Sequence, residues 1–72
     1  MKIKTFEGKI INITSLTLEV DRDRNKETIY KIVGTFYDKY INRTVIDISY
    51  DRKSTLNKYF KMLNELIDEQ VQ

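Results

Sequence analysis

Residues 54–71 read STLNKYFKMLNELIDEQV, and this stretch decides the fold. Leu56, Tyr59, Phe60, Leu63, Leu66, Ile67 and Val71 recur at steps of three and four, which places them on one face of an α-helix. Lys58, Lys61, Asn64, Glu65, Asp68 and Glu69 occupy the remainder. Asp51 and Ser54 both precede the first periodic leucine, and either can cap the helix by accepting a free backbone N–H. Asp68 and Glu69 stand at the negative end of the helix dipole, where acids are mildly unfavourable, so a partner that meets them would offset that cost. Met62 falls off the main stripe; it is either a contact for a partner or packing at the stripe's margin.

Upstream of this helix the hydrophobic period shortens to two, and Thr and Ile crowd the chain, as pleated surfaces favour. A first strand is expected from Lys2 to Ile13, with Gly8 as a bulge inside it. Ile11 and Ile13 are odd-numbered, whereas Leu16, Leu18 and Val20 are even. A strand cannot change phase without a break, and Thr14-Ser15 is the place for it. Strand two then runs from Leu16 to about Arg22, with Leu16, Leu18 and Val20 facing in. Residues 21–27, DRDRNKE, form a solvated hairpin tip with three basic and three acidic residues. Its Asp21 and Asp23 alternate with Arg22 and Arg24, out of register with a calcium loop.

Strand three spans Thr28 to about Tyr37, with Tyr30, Ile32 and Phe36 on one face and Lys31, Val33 and Thr35 on the other. After a turn at 38–42, strand four runs from Arg43 to Tyr50. Simple alternation turns Ile46, Ile48 and Tyr50 inward and Val45, Asp47 and Ser49 outward. The expected fold is therefore α+β: a four-stranded antiparallel meander with one C-terminal amphipathic helix on one face, ββββα. The 72 residues make one small domain.

What is missing narrows the chemistry. The chain has no Cys, His, Trp, Pro or Ala. Without Cys and His there is no disulfide, no thiolate or imidazole nucleophile system, and no ordinary zinc, copper or haem site. Gly8 and Gly34 stand alone, so neither a phosphate loop nor a dinucleotide fingerprint is present. The expectation is a protein that is not an enzyme and takes no cofactor or metal. No apolar run approaches the roughly 20 residues of a membrane helix, and residues 1–7, MKIKTFE, lack the apolar core of a signal peptide, so the expected location is cytoplasmic. The tripeptides Asn12-Ile13-Thr14 and Asn42-Arg43-Thr44 then match the glycosylation pattern by coincidence. Residues with AT-rich codons (Ile, Lys, Asn, Tyr, Phe) make up 32 of the 72, which points to a low-GC bacterium or its phage.

Two binding functions remain. In the first, the chain is an interaction protein, homodimeric, that binds a protein partner, such as a phage-type inhibitor or adaptor acting on a host protein. A core this small rarely yields more than ~3–5 kcal/mol, and oligomerisation is a common supplement. An open sheet also leaves two edges able to pair. In the second, the chain binds single-stranded DNA or RNA without sequence preference. Basic and aromatic residues interleave at Lys31, Tyr37, Tyr40 and Arg43, and again at Tyr50, Arg52 and Lys53, a pattern in which rings stack on bases and cations hold phosphates. These seven residues are the candidate binding site. Net charge is only +2, however, from 13 basic and 11 acidic residues. It divides into +3 over residues 1–53 (11 basic, 8 acidic) and −1 over residues 54–72 (2 basic, 3 acidic).

Overall fold

A computed structural model describes residues 1–71. Its elements are β1 (Lys2–Lys4), β2 (Ile10–Asn12), β3 (Ser15–Arg22), β4 (Thr28–Tyr37), β5 (Ile41–Ser49) and α1 (Arg52–Val71). The α+β class and the C-terminal helix are as expected. The strand count is not: five strands form two antiparallel sheets, β1-β2 and β3-β4-β5, in place of one four-stranded sheet.

The difference arises at Gly8. It adopts φ +91°, a conformation that only glycine enters without strain, and so makes a turn where a bulge was expected. Thr5 locks that turn. Its N–H donates to Lys9 O (2.7 Å), its carbonyl accepts from Gly8 N–H (2.9 Å), and its buried hydroxyl accepts from Lys9 N–H (3.1 Å). The expected first strand is thereby a hairpin, with Ile3 opposite Ile11.

The phase break at residues 13–15 is where the chain passes from one sheet to the other. Ile13 N–H donates to Met1 O (2.8 Å), continuing the hairpin, and Thr14 N–H donates to Thr35 O (2.8 Å), beginning the meander. Between the sheets Ile13 is almost wholly buried. It joins Ile32 and Ile46 in the core, with Met1, Ile3, Ile11, Leu16, Leu18, Tyr59 and Met62 packed around them. Gly34 makes that approach possible. A Cβ there would lie 2.7 Å from Ile13 Cγ2 and 2.9 Å from Ile46 Cδ1.

A second correction concerns β5. Ile32 pairs with Asp47 but Val33 pairs with Val45, so Ile46 is an extra residue in a bulge. Beyond it the alternation reverses. Asp47 lies on the helix side and pairs with Lys58 (3.4 Å), while Ile48 joins Arg43 and Val45 on the opposite face. Ser49 also faces the helix junction, where its Oγ accepts from Asp51 N–H (3.0 Å). Tyr50 and Val20, both expected inward, are exposed.

Asp51 is the cap, and Ser54 lies within the helix. Asp51 Oδ1 accepts from Lys53 N–H (3.1 Å), and its carbonyl accepts from the buried Thr55 hydroxyl (2.9 Å). At the other end Glu69 meets the amino group of Met1 (3.2 Å), and Gln70 Nε2 donates to Thr14 O (3.1 Å). The helix thus spans the meander and clasps the hairpin.

Replacing Gly34 by Ala should overpack the contact with Ile13 and Ile46 and lower stability by about 1–3 kcal/mol. Urea denaturation followed by circular dichroism reads this as a lower midpoint. An unchanged midpoint would mean that the isoleucines yield without cost.

Candidate functional site

The seven candidate residues fall into three groups. Lys31 and Arg43 lie on the sheet face opposite the helix, and both are neutralised there. Lys31 Nζ pairs with Asp21 (3.2 Å), and the Arg43 guanidinium pairs with Glu19. Antiparallel pairing sets Glu19 directly opposite Lys31. The apolar stems of these side chains stand beside Val33, which is 4% exposed, and Phe6 and Glu7 of the β1–β2 turn reach the same face at Val45. The face is a lattice of alternating charge, and its cations have acids of their own.

Tyr37 and Tyr40 lie at the β4–β5 turn, 64% and 78% exposed, beside the exposed Ile41. Tyr50, Arg52 and Lys53 lie at the opposite end. Tyr37 pairs with Ile41 and Tyr30 with Ser49, and the strand between these pairs runs for about 23 Å. No single small ligand touches both tyrosine groups.

Tyr50 is part of a latch that sequence pattern did not reveal. Its hydroxyl donates to Asp23 Oδ2 (2.8 Å), tying the β3–β4 turn to the β5–α1 junction. The other Asp23 oxygen accepts from the backbone N–H groups of Asn25 (2.8 Å) and Glu27 (2.9 Å), which shapes the turn and lets Lys26 adopt φ 63°. These bonds hold the Asp23 carboxyl below its ordinary pKa, the Glu27 N–H acting most strongly and the Tyr50 hydroxyl next. The same bond raises the Tyr50 phenol, because its donor proton is held against a carboxylate. Asp21 is likewise lowered, first by the N–H of Arg22 and then by Lys31.

The surface least explained by the fold is on α1. Its buried face is Thr55, Tyr59, Met62 and Leu66, so Met62 packs on the core and is not a free contact. Leu56 and Leu63 are half-buried, and Phe60, Ile67 and Val71 are 55%, 48% and 80% exposed. The expected single stripe is two adjacent stripes, one seated on the sheet and one facing solvent. A signal for this was present in the sequence. At 100° per residue the apolar arc from Met62 round to Val71 covers about 180°, whereas a helix lying on one layer needs little more than ~100°. The N-terminal half of the outer stripe borders an open groove of about 520 Å³ between Asp51, Arg52, Lys53, Leu56, Asn57 and Phe60.

Among the described residues no cluster of three acidic, His or Cys side chains is placed to hold a metal ion, and no helix is long and apolar enough to cross a membrane. Compared with protein-family models, curated proteins and solved structures, the chain shows no significant match to any of them.

The lowered Asp23 and raised Tyr50 define a pH window for the latch. It should be intact at neutral pH, loosen in acid as the pH falls through a midpoint below the ordinary carboxyl value of 3.8, and loosen in alkali above 10.0. Carboxyl and tyrosine NMR shifts followed against pH check both limbs. Asp23→Asn should remove the acid limb at this position and sharpen exchange of the Asn25 and Glu27 amides.

Proposed function

We propose that this chain is a small non-enzymatic interaction protein that binds a protein partner, and that it docks through the outer stripe of α1. The observation that carries this reading is the row Leu56, Phe60, Leu63, Ile67 and Val71 along a helix whose other stripe already fills the core. A continuous apolar row rimmed by polar residues is the form of a protein-binding helix face. The opposite surface of the molecule supports the same choice, because its cations are matched by Asp21 and Glu19 and leave little net attraction for a polyanion. The AT-rich composition suits a phage product whose partner is a host protein, and homodimerisation belongs to the same reading.

Single-stranded nucleic acid is the second reading, and one local feature favours it. Phe60 is exposed in the groove that Arg52 and Lys53 also line, so a ring and two cations lie together there, with Tyr50 just ahead of them in the chain.

Affinity capture with the tagged chain, run beside Phe60→Glu, tests the first reading. Binding of a protein should be lost in the variant, while circular dichroism stays unchanged because Phe60 is outside the core. Titration of a labelled oligonucleotide at two salt concentrations tests the second. Salt-sensitive binding that weakens in Tyr50→Ala would displace the protein reading, and its absence at low salt would remove the nucleic-acid one.

A further inference from the structure

We infer that the outer stripe of α1 receives the same stripe of a second copy, packed antiparallel about a two-fold axis between Lys61 and Met62. This rests on the reading of α1 as a docking face and names its occupant.

The stripe is self-complementary. Leu56, Phe60, Leu63 and Ile67 follow at steps of four, three and four, so these four read the same from either end, while Val71 extends past them level with the mate's Arg52. An antiparallel mate would set Leu56 against Ile67 and Phe60 against Leu63, each pair occurring twice, as a two-fold interface demands. The solvent-side margin is palindromic as well, about a midpoint one residue closer to the N-terminus. It carries Lys53, Asn57, Asn64 and Asp68, all exposed, at steps of four, seven and four. In the antiparallel mate Lys53 comes near Asp68 and Asn57 near Asn64, each pair offset by about 3 Å along the helix axis. A parallel mate would place Lys53 against Lys53 and Asp68 against Asp68, which like charges oppose.

The charges of α1 are also arranged against its own dipole. Arg52, Lys53, Lys58 and Lys61 occupy the first half, and Glu65, Asp68 and Glu69 the second. No acid lies in the first turn and no base in the last. Within the chain only Lys58 and Glu69 find ion-pair partners among the described residues, leaving Arg52, Lys53, Lys61, Glu65 and Asp68 unmatched. An antiparallel copy brings a basic half to an acidic half and opposes the two dipoles, so it relieves a cost that the monomer bears alone.

Surface area agrees with a second copy. The chain exposes 5590 Å², against about 4,700 Å² for a compact monomer of its 8.7 kDa mass. The excess is roughly the 800 Å² that each partner buries in a specific interface of standard size.

Sedimentation equilibrium of the full chain at micromolar concentrations should show a monomer–dimer equilibrium. Phe60→Glu should weaken it about tenfold or more with the circular dichroism unchanged. Lys53→Asp and Asp68→Lys should each weaken self-association, and mixing the two variants should restore a dimer containing one of each, visible by native mass spectrometry. This exchange also carries the test should Phe60→Glu fail to fold, since Lys53 and Asp68 are both exposed. A wild-type chain that stays monomeric, a dimer indifferent to Phe60→Glu in a folded variant, or a mixture with no preference for the mixed pair would each overturn the inference. A monomer that still binds a different protein in a Phe60-dependent way would overturn the self-pairing alone and leave the proposed function standing. A monomer with no such partner would remove both.

Discussion

Everything in this domain depends on the seating of Ile13 against Gly34. Two sheets and a helix must share one small core, and their common point is a side chain in the two-residue link between sheets. Ile13 can reach Ile32 and Ile46 only because β4 has no Cβ at position 34, where one would stand 2.7 Å from the isoleucine. Close packing of this kind tolerates little change in volume. The hairpin, the meander and the helix are held to one another through it, and the clasp of Met1 on Glu69 and Thr14 on Gln70 closes around it. In a chain without disulfides or prolines, this contact does much of the work of defining a single structure.

The bulge at Ile46 has the next largest effect. It drives that side chain into the core and reverses every position after it on β5. Asp47 thereby reaches Lys58 on the helix, and Ile48 goes to the other face. The face opposite the helix is left with matched charges beside Val33. That neutral lattice weakens the interleaved Tyr, Lys and Arg pattern as a nucleic-acid surface, since cations already paired with acids hold phosphates poorly. The tyrosines divide between two ends of the sheet, and one of them, Tyr50, serves the turn at Asp23.

What remains uncommitted is half of the helix's apolar arc. A three-stranded sheet offers one helix a limited platform, and a hairpin crowding the same core leaves it no broader. An arc of about 180° therefore cannot be covered by the chain itself. The outer stripe is the consequence of a mismatch between the width of the apolar arc and the width of its platform, and the inverted charge order of α1 lies on the same helix. Association would cover the one and answer the other, and the proposed binding function rests on that.

Sequence alone determined the elements with strong periodicity: the helix, the strands flanking the charged 21–27 tip, and a break at Thr14-Ser15, one residue beyond the Ile13-Thr14 link. These are local properties, set by the spacing of apolar side chains, while the choice of Asp51 over Ser54 as the cap came from the structure. Sequence also determined the chemistry that is absent, because no fold can supply an imidazole or a thiol. Composition did not distinguish a turn from a bulge at Gly8, since both use a glycine and the difference lies in whether Thr5 can close the loop. Nor did alternation reveal the bulge at Ile46, because an inserted residue leaves the pattern of Ile46 and Ile48 looking regular. The tertiary structure decided these, together with which half of the helical arc is buried and which cations meet acids. The physical reason is common to all of them: each depends on a partner distant in the chain, and burial and charge pairing are settled by what arrives opposite a side chain, not by its neighbours in sequence.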